Sequence, residues 1–202
     1  MKHPTLSSRR NFLAQVTTAG AALAVGEITT AAAASPAPKR FKIAGFTKPF
    51  QNLSYDETAD VVAEIGWDGI ECALRRNGHV LPERVEDDLP KLVAALKQRN
   101  LEVSTIATDI RNATDPLTEK VLRAAAKSGI KLYRLAHLSY DRKRPLAEQV
   151  DSLRSEFREL LALNKELGLC AAYENHSGLD SVGAAIWDID RLFKEFDPRY
   201  YG

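Results

Sequence analysis

Toward the C-terminus an acid, an amide and an imidazole follow one another. Leu169-Cys170-Ala171-Ala172-Tyr173 runs directly into Glu174-Asn175-His176-Ser177-Gly178. The first five residues read as a parallel strand buried on both faces, which should be continuously apolar. Polar groups at its carboxyl end lie where barrel and open-sheet enzymes place their chemistry. A carboxylate that closes an apolar strand needs a partner to be buried, so Glu174 is the leading candidate for a functional side chain.

Other strand-like runs end in similar groups. Thr47, Lys48 and Phe50 follow the first. The second carries Glu71, with Arg75, Arg76 and His79 in the loop beyond. The third ends in Thr108 and Asp109, and the fourth in His137. Three of the four histidines thus lie at or just past a strand end. Carboxylates and imidazoles on one rim supply the hard oxygen and borderline nitrogen ligands that a divalent metal takes. A carboxylate beside a polarised hydroxyl or carbonyl can also move protons. Plainer roles compete at each position. Glu71 could pair with Arg75 at the rim, His137 could be a core histidine bonded to a backbone carbonyl, and Asn175 or His176 could cap a turn. His79 lies in a polar loop and reads as solvated, as does the Arg142-Lys143-Arg144 run.

Positioning these groups requires a regular alternation of elements. Phe41–Phe46, Gly69–Leu74, Glu102–Thr108, Lys131–His137 and Leu169–Glu174 are strand-like. Between them, Leu89, Leu92, Val93 and Leu96 keep helical spacing, and Val150, Leu153, Phe157, Leu160, Leu161 and Asn164 hold one helix face. Helices are expected to end at Gly66, Asn100, Gly129 and Gly168, residue types that tolerate the left-handed conformation. These stops recur roughly every 30–40 residues, enough for a strand, loop and helix in a right-handed crossover. Helix starts are signalled at Ser54 or Asp56, at Asp115-Pro116 and at Ser181. Helical repeats of similar period are disfavoured by the β-rich stretches between helices.

Five strand–helix units are expected, the last helix spanning Ala184–Phe196, with Asp197–Gly202 reading as a turn into a sixth strand. No glycine-rich phosphate loop, nucleophile elbow or Cys-x-x-Cys pair is present. The fold class expected is α/β, a (β/α)8 TIM-barrel type with its last strands missing. A full barrel takes about 250 residues, and residues 41–202 fall short of that. A cropped gene product is the expectation.

The 202 residues are 45% hydrophobic and 27% charged, with a formal net charge of +1, the composition of a soluble globular domain. Three bases (Lys2, Arg9, Arg10) and one acid (Glu27) fall in residues 1–34, leaving 25 bases against 26 acids. No basic stripe points to nucleic acid or an anionic membrane. A small polar substrate is the simpler expectation. Ser8-Arg9-Arg10-Asn11-Phe12-Leu13 resembles a twin-arginine export signal. An apolar run from Ala14 to Val25 and a small-residue cleavage region, Ala31–Ser35, follow it. The expected organisation is a signal peptide over residues 1–34, a linker over 35–40 and one domain over 41–202. The mature protein would then be periplasmic or secreted and free of the membrane. Cys72 and Cys170 lie in separate strands and read as buried free thiols; a disulfide between them is not expected.

Phe41–Lys48, the run Ile65-Gly66-Trp67-Asp68-Gly69-Ile70-Glu71 and Leu169–Gly178 together resemble the xylose isomerase-like TIM-barrel superfamily. That group spans sugar isomerases, epimerases and dehydratases together with endonuclease IV-like enzymes. The resemblance implies that Glu174 ligates a divalent metal (manganese first, with magnesium, cobalt or zinc as alternatives) and shuttles protons. It also implies further ligands from strands six to eight, so the site would be incomplete in this chain. Glu71, His137, Asn175 and His176 would bind the substrate, a small carbohydrate. The implied function is a metal-dependent sugar isomerase or epimerase working through an enediolate, in the intact parent protein, as an oligomer or not. The alternatives are a sugar lyase or dehydratase of the same fold, an endonuclease IV-like phosphodiesterase, and a non-catalytic sugar-binding domain. Near-neutral charge and an export signal weigh against the phosphodiesterase.

Overall fold

Apolar side chains at alternate positions give each strand one face to bury, and that face sets the architecture. The structure, a computed structural model, describes residues 41–202; the twin-arginine segment, its cleavage region and the linker lie outside the described residues. Five strands, Ala44–Phe46 (β1), Gly69–Ala73 (β2), Glu102–Ala107 (β3), Leu132–Arg134 (β4) and Cys170–Ala172 (β5), form one sheet. They lie in sequence order and every neighbouring pair is parallel. The helices Tyr55–Ile65 (α1), Val85–Lys97 (α2), Pro116–Lys127 (α3) and Leu146–Leu167 (α4) supply the crossovers, and Ile186–Phe193 (α5) follows β5. Consecutive parallel strands with one helix per crossover are the winding of a TIM barrel, present here as a five-stranded arc.

The core lies between sheet and helices. Ile70, Cys72, Ile106, Tyr133 and Ala171 point into it from the strands and meet Leu89, Leu92 and Leu96 of α2, Leu122 of α3 and Phe157 and Leu160 of α4. The opposite face of the sheet departs from the expectation of strands apolar on both sides. Phe46, Glu71, Thr105, Arg134 and Ala172 are only half-buried there. Alternation, not a continuous apolar run, describes these strands. It also separates the two cysteines. Cys72 is wholly buried against the helices, whereas Cys170 has the opposite parity and is half-buried, contrary to the expected burial of both; both are free thiols.

The helix signals work through their chemistry. Ser54 opens α1 with a capping box: its Oγ accepts from the Glu57 N–H, and Glu57 accepts from the Ser54 N–H. Asp115 accepts from the Leu117 N–H ahead of α3. Ser181 does not start a helix, because its hydroxyl is engaged with Ser177 and His137, and Ser139 and Ser181 form an antiparallel bridge between two loops. The last helix begins only at Ile186 and stops at Phe193. β4 and β5 are likewise shorter than expected; beyond Arg134 the chain turns aside, and the Ala136 N–H donates to Ile110 O at 2.8 Å.

The Gly66-Trp67-Asp68-Gly69 run is structural. Gly66 caps α1 at φ 84°, where other residues are strained. Trp67 lies against Gly45 so closely that a side chain on Gly45 would overlap its indole, and Asp68 accepts from the Ile43 N–H at 2.8 Å. The run therefore staples the start of β1 to the turn before β2. At the far end of the sheet the segment Tyr200–Gly202 lies alongside β5: the Ala171 N–H donates to Tyr200 O, and the Gly202 N–H to Ala171 O. Buried Asn164 of α4 ties this segment to β4, accepting from the Tyr133 hydroxyl at 2.8 Å and donating to Tyr200 O at 3.2 Å.

Candidate active site

Strand register brings the polar side chains together. Phe46 is level with Glu71, and Arg134 with Ala107 and Ala172. Small residues at those two neighbouring positions leave room for the Arg134 side chain to reach sideways. Its Nε donates to Glu71 Oε1 at 2.9 Å, and its Nη1 pairs with Glu174 Oε2. One guanidinium therefore bridges the second and fifth strands. Glu71 pairs with Arg134 and not with Arg75, correcting the simpler rim pairing considered from sequence. The Arg75 guanidinium instead lies over the Phe46 ring at 5.3 Å, and that of Arg134 at 5.4 Å, cation–π distances.

Glu174, Glu71, His137 and His176 line a single cleft of about 650 Å³ at the carboxyl ends of the strands, with Arg134 among them. Glu174 is 56% exposed, so it is not the buried carboxylate its apolar neighbours suggested; it reaches into the mouth from the strand end. His137 and His176 meet edge to face with ring centroids 4.8 Å apart. The His137 Nε2 lies 3.1 Å from the Ser181 hydroxyl, and the His176 Nδ1 2.8 Å from Ser177 O. Partial burial, then the neighbouring His176 and Arg111, hold His137 below its ordinary pKa, so its imidazole is neutral at pH 7. Asn175 is exposed and does not line this cleft.

His79 belongs elsewhere, and the solvated loop expected for it is not observed. It is 8% exposed, packs on the Tyr55 ring and reaches the Thr58 hydroxyl at 3.5 Å. Burial lowers its pKa. Arg142 is exposed, as expected for the Arg142–Arg144 run, and pairs with Asp180.

Two contributors escaped the sequence, Arg134 and Arg111. The signal for Arg134 was present: a lone cation amid Leu132–Leu138 must find an acid when the strand is buried. Arg111 gave no comparable sign, because it lies in a loop among Asp109, Asn112 and Thr114.

Among the described residues, no group of three or more His, Cys, Asp or Glu could hold a metal ion. These residues alone do not fit the divalent cation expected from the resemblance. Glu174 offers a single carboxylate, and its Oε2 is engaged with Arg134. No described helix is long and apolar enough to cross a membrane.

Comparison with known proteins follows the same lines. A family model described as "Xylose isomerase-like TIM barrel" matches residues 59–202. No curated protein matches the chain. Solved structures similar in fold include the 3-keto-D-glucoside 4-epimerase YcjR of E. coli, at 17% identity and TM-score 0.63 over 80% of this chain and 66% of that one. A D-psicose 3-epimerase, crystallised in the presence of D-fructose, aligns at 14% identity and TM-score 0.50 over 75% of this chain and 60% of its own. A xylose isomerase-like TIM barrel protein from Mycobacterium smegmatis in complex with magnesium aligns at 16% and 0.55, over 80% and 63%. The chain thus spans under two thirds of the length of these relatives.

Proposed function

We infer function from one premise: the chain belongs to the xylose isomerase-like TIM barrel family. On it we propose that the protein acts in a sugar isomerase or epimerase, moving a proton at a carbon beside a sugar carbonyl. The observation that carries this reading is the convergence of Glu174, Glu71, His137 and His176 on one open cleft at the strand ends, where this architecture does its chemistry. Epimerases among the structural neighbours, one crystallised in the presence of D-fructose, support a carbohydrate substrate.

In this proposal Glu174 is the base that takes the proton, forming an enediolate, and returns it. Return by Glu174 to the adjacent carbon gives the isomer; return to the same carbon from the other face, which gives the epimer, takes a second carboxylic acid opposite Glu174, supplied from outside the described residues. Arg134 offers fixed positive charge beside the developing enediolate oxygen. Neutral His137, with His176 beside it, orients hydroxyl groups through hydrogen bonds. A divalent cation on Glu174 would compete with Arg134 for this carboxylate, and the remaining ligands would come from outside the described residues. The Ser8–Leu13 segment further supports a place of action beyond the cytoplasmic membrane, after twin-arginine export.

The test is proton exchange. Incubated in heavy water with a ketose and divalent metal, the protein is expected to introduce deuterium beside the carbonyl, read by NMR. Glu174→Gln is expected to lower the exchange by about 10²-fold or more. Equal exchange in the variant, or none in the wild type, overturns the reading.

A further inference from the structure

The proposed reaction uses Glu174, Glu71, Arg134, His137 and His176, and leaves a second group of charges in the same mouth without a role. Lys48 follows β1, Arg75 follows β2 and Arg111 follows β3, so three successive strand-end loops each contribute one cation. All three line the cleft that holds Glu174, and all three also line an adjoining hollow of about 710 Å³. The two spaces share these cations and one acid, Asp109.

Among the described residues none of the three has an ion-pair partner, whereas Arg134 absorbs both Glu71 and Glu174. Asp109 accepts from the Arg76 N–H at 2.8 Å, and Asp115, which also lines the hollow, caps α3. These two carboxylates serve the backbone and leave the side-chain cations open. Like charges converging on one open space repel one another, a cost that an anion placed among them removes.

The loops that carry the cations are held. Buried Thr47 donates its N–H to Glu71 O at 3.0 Å and accepts from the Ala73 N–H at 2.9 Å, which fixes the approach to Lys48. Arg75 is laid over Phe46. Arg111 follows Ile110, whose carbonyl receives the Ala136 N–H at 2.8 Å. Such a set approaches the preorganisation that makes charge-assisted recognition strong.

We propose that Lys48, Arg75 and Arg111 form an anion subsite, so that the substrate is a carbohydrate carrying a negative group, a carboxylate or a phosphate ester. This deepens the isomerase reading and rests on it for the sugar: the anion sits over the β1–β3 loops while the reacting carbons face Glu174 on the β5 side. A neutral sugar would leave the three cations unpaired in the bound state.

Binding, not turnover, tests it, so its failure is distinguishable from loss of the proton-transfer reading. Titration calorimetry on the full chain would compare D-fructose, D-fructose 6-phosphate, D-glucuronate and inorganic phosphate. The charged sugars are expected to bind at least about tenfold more tightly than D-fructose, with affinity falling as salt rises. Arg75→Gln and Arg111→Gln should each remove that advantage, while Arg123→Gln on α3 should not. Preference for the phosphate ester over the uronate identifies a phosphoryl group, and the reverse a sugar acid. Equal binding of neutral and charged sugars, or an advantage that survives in both variants, overturns the subsite; circular dichroism of the variants establishes that they are folded.

Discussion

Arg134 reaches Glu71 across the inner face of the sheet, Nε to Oε1, at 2.9 Å, although β3 lies between their strands. With Glu174 on its other side, the guanidinium is the hub of the strand-end polar network. Both members of the Arg134–Glu71 pair are about a fifth to a quarter exposed, well sheltered from the solvent that weakens surface pairs.

Removal of the hub should therefore be felt. Arg134→Met is expected to lower unfolding free energy by about 1–3 kcal/mol, because two carboxylates lose their common partner. Urea denaturation of Arg134→Met, Glu71→Gln and the double variant measures the coupling. Simple additivity of the two losses would show that the pair contributes nothing.

Asn164 supports the sheet from behind. Tyr133→Phe leaves the wholly buried Asn164 Oδ1 without its 2.8 Å donor and should cost about 1–2 kcal/mol. Urea denaturation reads that loss. An unchanged midpoint and slope would contradict it.

Close packing at the Trp67 motif makes a steric prediction. Gly45→Ala would drive a methyl into the Trp67 indole and is expected to destabilise by about 1–3 kcal/mol, as overpacking does. Gly45→Ala combined with Trp67→Leu should recover part of the loss. A thermal scan in which Gly45→Ala melts with the wild type would refute the clash.

Stability should also fall on acidification through His79. Its folded pKa is depressed, with burial the main cause and a backbone hydrogen bond to Leu53 working the other way. The unfolded chain therefore binds the proton more readily, and the stabilising contribution present above pH 6.5 is lost as pH falls through the folded pKa. His137 has the same sign. His79→Gln should consequently flatten, without abolishing, the decline in urea midpoint between about pH 7 and pH 5. Parallel pH profiles for variant and wild type would exclude His79 as a contributor.

Much of this was legible in the residues. The capping box at Ser54, the stops at Gly66 and Gly168 and the apolar face from Val150 to Asn164 each have a local cause, and a local cause is visible in a linear chain. His79 was not legible: its loop is rich in polar residues, and its burial comes from contacts with Tyr55 and Thr58, more than twenty residues away in the chain. Ser181 misled for the same reason, since a hydroxyl that could cap a helix is engaged by His137 on another loop.

The amino-acid order by itself determined the alternation of strands and helices, their parallel winding and the presence of Glu174 at a strand end, because periodicity, caps and crossover length are short-range properties. Tertiary structure alone decided that Arg134 joins Glu71 to Glu174, and that Lys48, Arg75 and Arg111 share one mouth. Those relations depend on sheet register and on which side chains are small enough to let a long one pass. Electrostatic partners distant in sequence are chosen by that geometry, which no spacing along the chain encodes.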